Sequence, residues 1–423
     1  MNLLILLLTT LSLICCLGIV SFAFYRQFIV IHQTKQFYEE QKQILSLKIS
    51  QITNPVNAIK SNLGNPAWNG SRKFVLKGKV LEAEGVCSFY FSPLDKKPLP
   101  PFIPGQYLTF QLHLSGQNKA TIRCYSLSDS PNHPDYYRVT IKKLSYKTDS
   151  SEIKEGLVSS YFHNNLQVDD IVDVKAPSGQ FFLNTENEAP VVLIGGGIGI
   201  TPALSMLNYI VNSGSKREVW LFYGIRNSDE HIMMDYFKEL DRENSNINIK
   251  ICYSDPLEID KINTHYDYAE RVSVDLFKRV LPSSNFEYYV CGPPPMMESL
   301  TNGLLEWGVP EDDINYEAFG PSTVKSVVSE DVTRIAKKRD ISIKFSKSGI
   351  ELEWDGVSSS ILEFAEKSGI QIESGCRSGN CGSCELAIRS GEVEYLSEPG
   401  AKVESGTCLT CVSIPKSNLT IDA

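Results

Sequence analysis

The sequence predicts a multidomain protein: an N-terminal transmembrane helix, an antiparallel β-barrel, an α/β unit on a parallel sheet, and a small α+β unit at the C-terminus. Three observations predict it. The first 25 residues carry no charge. From Lys73 short apolar–polar alternations separated by Pro and Gly give way, near Ala189, to alternating strand-like and helix-like runs. A run of cysteines then crowds residues 376–411. The chain has 423 residues, which suits roughly three domains. Its 42% apolar and 22% charged residues exclude a disordered, collagen-like or multi-span membrane protein. The net charge of −9 argues against a nucleic-acid binder.

Residues 1–25 read as an anchor, because Leu3 to Phe24 is long enough to cross about 30 Å of hydrocarbon as a helix. A cleaved signal peptide would want a positive n-region and a small-residue cleavage site, and neither is present. Arg26, Lys35, Lys42 and Lys48 all follow the apolar run, so the positive-inside bias puts the catalytic domains on the cytoplasmic side of a single-pass protein. Residues 26–72 read as a juxtamembrane segment and linker, since no heptad pattern is sustained. The barrel is expected over 73–188, the α/β domain over 189–320, a linker over 321–340 and the last unit over 341–423. Barrel strands are read at Phe74–Val80, Ser88–Phe91, Tyr107–Leu112 and Tyr137–Lys142. Strand–helix pairs follow at Val191–Ile194 with Ala203–Val211, Glu218–Tyr223 with Glu230–Leu240, and Tyr288–Cys291 with Met296–Trp307. The final unit opens with strand runs at 341–345 and 350–354 and a helix at 358–368.

Cys376, Cys381 and Cys384 have the spacing C-x4-C-x2-C, and Cys411 follows. This is the plant-type [2Fe–2S] spacing. Three thiolates on one short loop are expected on one side of a cluster, with Cys411 closing the other. A structural zinc site would want a second glycine-turned CxxC, and Cys408 and Cys411 lack the turn glycines. Cys408 reads as a buried thiol.

Arg123-Cys-Tyr-Ser126 ends an expected barrel strand. An aromatic ring can cover an isoalloxazine, a hydroxyl can donate to its hydride-accepting nitrogen, and an Arg fork matches a phosphate. Lys142 and the Gly156-Leu-Val-Ser159 element, with Val158 and Ser159, are further candidates. Lys142 has the alternative of a solvated strand position and Ser159 that of a plain helix cap. Val191 to Pro202 reads as strand, glycine turn and helix start, with Gly197 in the turn, Thr201 as N-cap and Pro202 at N1. Ile200 stands where the last glycine of G-x-G-x-x-G would fall, so this is not an ordinary Rossmann turn. Cys291-Gly292-Pro293 ends a later strand, where ligands of open α/β sheets bind. His163 and His231 have no evident partner in sequence and read as surface or packing residues.

With these motifs in view, residues 73–320 resemble the ferredoxin–NADP⁺ reductase superfamily, and 123–183 look most like the reductase half of flavohaemoglobins. Residues 341–423 resemble plant-type ferredoxins, which implies a β-grasp fold. The order flavin, nicotinamide, [2Fe–2S] is similar to that of phthalate dioxygenase reductase and related oxygenase reductases. The resemblance implies FAD rather than FMN, with Arg123 on the flavin phosphate, Tyr125 against the ring and Ser126 near its reactive nitrogen. It implies Gly197, Thr201 and Cys291–Pro293 around NADH or NADPH. Glu317-Ala-Phe-Gly320 matches the family's Glu-x-Phe ending, which puts Phe319 at the flavin face. Ser126, Cys291 and Phe319 are thus the expected catalytic residues, and an electron-acceptor protein the expected partner. The oxygenase reductases it resembles are soluble, whereas this chain carries an expected anchor. For nucleotide choice, Arg226 could meet a 2′-phosphate, while Asp229 and Glu230 could favour a free ribose; the balance tilts to NADH.

Overall fold

The computed structural model describes residues 67–114, 120–147, 153–317, 319, 341–396, 399, 401 and 403–423. The expected anchor at 1–25, nearly all of the juxtamembrane segment, and the linker at 321–340 lie outside the described residues. Among the described residues no helix is long and apolar enough to cross a membrane.

The first domain is a six-stranded antiparallel sheet in the order β4-β3-β8-β1-β2-β5. Its strands are β1 (Ser71–Ala83), β2 (Val86–Pro93), β3 (Tyr107–Leu112), β4 (Thr121–Ser126), β5 (Tyr137–Lys142) and β8 (Ile171–Ser178), with a small ribbon of β6 (Ser145–Lys147) and β7 (Ile153–Glu155) inserted. Two register shifts in β1 bend that long strand, as an extra residue in a ladder does. The sheet closes through an antiparallel bridge from Leu127 to Val139. Phe74, Phe89, Phe91 and Phe110 fill the interior, and Phe162, from the turn after the short helix α1 (Leu157–Ser160), meets Phe89 and Phe110 edge-on. The barrel starts earlier than Lys73: β1 opens at Ser71, and Trp68 already packs on Phe74 and donates to the Val174 carbonyl.

The second domain is a five-stranded parallel sheet in the order β11-β10-β9-β12-β13. The strands are β9 (Val191–Gly196), β10 (Val219–Ile225), β11 (Ile247–Tyr253), β12 (Glu287–Cys291) and β13 (Ile314–Glu317). Every residue of β9 is buried, because helices cover both faces of the sheet. Helices α2 (Ile200–Ser213) and α3 (Met234–Glu243) pack on one face; α4 (Val274–Val280) and α5 (Pro294–Glu306) pack on the other. The chain order reverses beside β9, with β10 on one flank and β12 on the other. That is the topological switch point where such sheets bind ligands.

The third domain pairs β14 (Ser342–Phe345) with β15 (Ile350–Glu353) and runs β20 (Leu419–Ile421) parallel to β14. β16 (Glu385–Ser390) and β18 (Thr407–Leu409) extend the sheet, and β17 (Val393–Tyr395) pairs antiparallel with β19 (Ser413–Pro415) beside it in sequence. Helix α6 (Ile361–Lys367) packs Phe364 on Trp354 and Phe345. Ser360 caps it by accepting from the Glu363 amide. A hairpin, a helix and a mixed sheet form the β-grasp arrangement expected.

Candidate functional site

The glycine turn after β9 and the Cys291-Gly-Pro segment after β12 sit side by side at the carboxyl ends of neighbouring strands. A Cβ on Gly199 would lie 2.4 Å from the Cys291 carbonyl oxygen. Only glycine permits that approach. Gly197 instead adopts φ +55° with open space where a side chain would be, as suits a backbone a ligand must reach. The helix start differs from expectation. Gly197–Gly199 form a 3-10 turn that runs into α2, so Gly199 is the N-cap and Thr201 and Pro202 lie inside the first turn. Thr201 donates back to the Ile198 carbonyl and is buried. Pro202 is tolerated there because the first helical amides have no partner within the helix.

Ser126, Cys291 and Glu317 converge from three strands. Cys291 is paired in register with Gly195 and Glu317. The Ser126 hydroxyl points to Glu317 Oε2 at 3.5 Å, the long limit of a hydrogen bond. Burial pushes the Glu317 carboxyl up to about 8, opposed only by Ser126, so it carries a proton at neutral pH. Burial first, and Glu317 once it ionises at higher pH, hold Cys291 well above the ordinary thiol range, so it is a neutral thiol. Phe319 follows β13 and is 39% exposed. Glu317 was legible only as part of a motif; its role came from being buried opposite Ser126.

On β4 side chains alternate between two faces. Arg123 and Tyr125 share the face of their cross-strand partners Phe110 and Leu108. Tyr125 packs edge-on with Phe110 and Phe162. The Arg123 Nη1 donates to the carbonyls of Ile122 and Gly375, at 2.6 and 3.0 Å, leaving Nε and Nη2 without protein partners among the described residues. Two free guanidinium donors beside an aromatic ring fit a flavin phosphate and ring. The barrel is pinned to the nucleotide domain at the same end. Asp129 takes a hydrogen bond from Asn208 on α2 at 3.0 Å, its carbonyl accepts from Ser205 at 2.7 Å, and Arg138 lies 3.4 Å away. Burial would raise the Asp129 pKa, but the Arg138 charge and His133 hold it well below the usual carboxylate range.

Other candidates are engaged elsewhere. Lys142 bridges the domains by pairing with Glu230 at 2.9 Å. Val158 is in the barrel core, the Ser159 hydroxyl is shared between Gly156 O and Leu144 N, and the Gly156 amide donates to Leu144 O. The structure therefore does not bring the side chains of Lys142, Val158 and Ser159 to Arg123; local backbone and ion-pair partners claim them. His163 contacts the Ile141 carbonyl at 2.9 Å and His231 the Tyr253 hydroxyl at 2.8 Å. Burial lowers the His231 pKa to about 3, so it is a neutral packing residue.

The cysteines form two pairs rather than three and one. Cys376 and Cys381 are joined by amide–sulfur hydrogen bonds: Asn380 N and Cys381 N to Cys376 Sγ at 3.2 Å, and Cys376 N to Cys381 Sγ at 3.3 Å. Cys384 and Cys411 lie together in one buried cluster with Leu409 and Val412, and the Thr410 amide donates to the Cys384 carbonyl at 3.2 Å. No three ligating side chains converge on one point among the described residues. A single zinc ion needs such a point, whereas a two-iron cluster needs two thiolates per iron. Positive φ at Gly379 and Gly382 turns the loop's amides inward. The residues fit a [2Fe–2S] cluster held by Cys376 and Cys381 on one iron and by Cys384 and Cys411 on the other. Cys408 is fully buried, its thiol pushed up to about 12 by burial, and is no ligand.

Comparison with known proteins agrees with this architecture. The chain matches the oxidoreductase FAD-binding domain family over 75–183, the oxidoreductase NAD-binding domain family over 193–302 and the 2Fe-2S iron-sulfur cluster binding domain family over 343–416. It is 37% identical over 256 residues to a flavohemoprotein of Bacillus cereus, covering 60% of this chain and 62% of the relative. The chain thus spans about three-fifths of the flavohemoproteins it matches. The FAD/NAD-binding domain of nitric oxide dioxygenase from Vibrio cholerae is 31% identical, with TM-score 0.53, covering 60% of this chain and all of that domain. Phthalate dioxygenase reductase is 26% identical, with TM-score 0.51, covering 84% of this chain and 98% of that protein. Fold and site define a flavin- and nicotinamide-dependent oxidoreductase that passes electrons to an iron–sulfur centre. The chain carries an oxidoreductase FAD-binding domain, an oxidoreductase NAD-binding domain and a 2Fe-2S iron-sulfur cluster binding domain in that order, with a reductase module similar to that of flavohemoproteins and an overall likeness to phthalate dioxygenase reductase.

Proposed function

We propose that this chain is a membrane-tethered reductase that takes electrons from NADH and delivers them singly to an acceptor protein, an oxygenase component. The observation that carries the reading is the seating of the cluster loop on the flavin strand β4 and its neighbour β3: Arg123 donates to Gly375 O, and the Tyr107 hydroxyl donates to the Asn380 carbonyl. The bound cofactors supply the conversion of a two-electron hydride into single electrons. The chain supplies position. Arg123 and Tyr125 fit a flavin phosphate and ring. The crevice between β9 and β12 offers the nicotinamide nucleotide a backbone approach at Gly197. Ser126 and the protonated Glu317 hold a hydroxyl and a proton where the two domains meet, in a site from which burial excludes water.

The oxygenase acceptor is supported by the likeness to phthalate dioxygenase reductase, a modular protein for electron transfer from pyridine nucleotides to [2Fe–2S]. A haem acceptor is the second reading, supported by the likeness to flavohemoproteins. Tethering is supported by the uncharged apolar stretch at 1–25. The test is an anaerobic titration of the purified full-length protein with NADH and NADPH. Flavin bleaching and the paramagnetic signal of the reduced cluster are followed together. Reduction of flavin and then cluster by one nucleotide supports the reading; bound cofactors that neither nucleotide reduces would make it a sensor or binding protein. Recovery of the chain in the membrane fraction, lost on deleting residues 1–25, tests the tether.

A further inference from the structure

The residue between Arg123 and Tyr125 faces the other way. Cys124 pairs across the ladder with Thr109, whose hydroxyl lies 3.4 Å from its sulfur. Cys124 shares that face of β4 with Ile122, against which the cluster loop packs at Gly375 beside the Cys381 sulfur, and with Ser126, whose ladder partner Tyr107 donates from its hydroxyl to the Asn380 carbonyl. The thiol therefore faces the loop between Gly375 and Cys381, and the neighbouring Cys376 and Cys381 push its pKa up. The docking that brings them together is close. A Cβ on Gly375 would lie 3.0 Å from Ile122 and 2.8 Å from Cys381 Sγ, so a glycine is required where the loop meets β4. The flavin strand therefore presents Arg123 and Tyr125 on one face and a thiol to one pair of cluster ligands on the other.

Four cysteines already complete a two-iron cluster, and Cys124 comes from a different domain. We propose that Cys124 is a cross-domain hydrogen-bond donor to the Cys376 and Cys381 sulfurs and sets the reduction potential of the cluster those sulfurs hold. The inference rests on the reductase reading above. A donor aimed at ligand sulfur stabilises the added negative charge of the reduced cluster, so it raises the potential. Because the donor stands on β4, the potential depends on the cluster loop being seated on the flavin strand. Electrons then fall more readily from flavin to cluster when the two domains are docked. Cys124 is a positioning residue here; it acts through the ligands.

The test is a redox titration of the purified holoprotein followed by the cluster's paramagnetic signal, in wild type, Cys124→Ala and Cys124→Ser. Flavin and iron content and thermal melting serve as controls on folding. Cys124→Ala is expected to keep both cofactors and to lower the equilibrium constant for reducing the cluster about tenfold, roughly 59 mV for one electron. Cys124→Ser, which keeps a donor, is expected to stay within threefold of wild type. An unchanged potential in Cys124→Ala, or an equal fall in both variants, overturns the inference. Loss of the cluster from a folded, flavin-replete Cys124→Ala overturns it too, by making Cys124 a ligand. A wild type that shows no cluster signal at all sinks the reductase reading itself.

Discussion

The hydroxyl of Ser126 stands 3.5 Å from Oε2 of Glu317, joining the end of a barrel strand to the last strand of the nucleotide sheet. The two residues are 191 positions apart in sequence. Both are buried, so the pair excludes water where the barrel meets the nucleotide sheet. Removing the hydroxyl by Ser126→Ala is expected to slow flavin reduction by NADH about tenfold, the worth of one buried hydrogen bond. Stopped-flow flavin bleaching at saturating nucleotide measures it, and an unchanged rate would remove Ser126 from the mechanism.

Glu317 gives that site a pH dependence. Burial pushes its carboxyl up to about 8 in the folded protein, so the neutral carboxyl is lost above that pH. The rate of flavin reduction is expected to fall above about pH 8 in wild type and to stay flat in Glu317→Gln. The sign for stability follows from linkage. The folded-state pKa is raised above the ordinary carboxyl value of 4.5, so the contribution is intact below 4.5 and is lost as pH rises toward 8. The loss has a slope of at most about 1.4 kcal/mol per pH unit. Glu317→Gln should therefore melt progressively higher than wild type as pH rises through that window.

Removing cluster ligands separates the two halves of the relay. Serine at Cys376, Cys381, Cys384 or Cys411 is expected to abolish transfer to one-electron acceptors such as cytochrome c, while NADH still bleaches the flavin. If flavin reduction fails equally, the order flavin before cluster is wrong.

The ion pairs of Glu230 bear on nucleotide choice. Its Oε1 takes Arg226 at 2.6 Å and Lys142 at 2.9 Å, and those bonds outweigh burial to hold its pKa at about 2. Arg226, just past β10, is thus occupied by a carboxylate rather than open to a 2′-phosphate. Glu230→Gln weakens that hold and is expected to raise kcat/KM for NADPH relative to NADH about tenfold, equivalent to about 1.4 kcal/mol. No change in the ratio would place nucleotide selection elsewhere.

Asp129, its side chain 14% exposed, and the buried Arg138 form a charge pair at the junction of barrel and nucleotide domain. Asp129→Ala leaves Arg138 buried without its counter-charge, at a cost of about 3–5 kcal/mol. It also removes the acceptor for Asn208. The melting temperature should drop by several degrees, and a drop as small as that of an exposed-residue control would show the junction does not depend on the pair.

Local pattern was enough for much of this. Tyr107–Leu112 and Tyr137–Lys142 are strands in the structure over the same residues that alternation marked, although both are buried almost throughout, because barrel packing covers their polar positions as well as their apolar ones. The Gly and Pro signals after β9 and β12 marked the ligand-binding ends of those strands. Boundaries were less legible: Thr201 has the chemistry of a cap, yet the turn of Gly197–Gly199 winds directly into the helix and moves the cap to Gly199. Trp68 lies in a stretch of Asn, Gly and Pro that reads as linker, and only its packing on Phe74 shows it belongs to the barrel.

By itself, then, the amino-acid order determined the kinds of domain, their succession and the residue types that hold a flavin, a nicotinamide and a cluster, because these rest on short-range spacing and strand or helix period. What only the tertiary structure decided is which distant groups meet. It paired Cys376 with Cys381 and Cys384 with Cys411, buried Glu317 opposite Ser126, drew Lys142 to Glu230, and turned Cys124 from a spacer between two flavin residues into a thiol facing the cluster loop. Those contacts are set by how three separately folded surfaces dock, and docking depends on shape and burial summed over many residues.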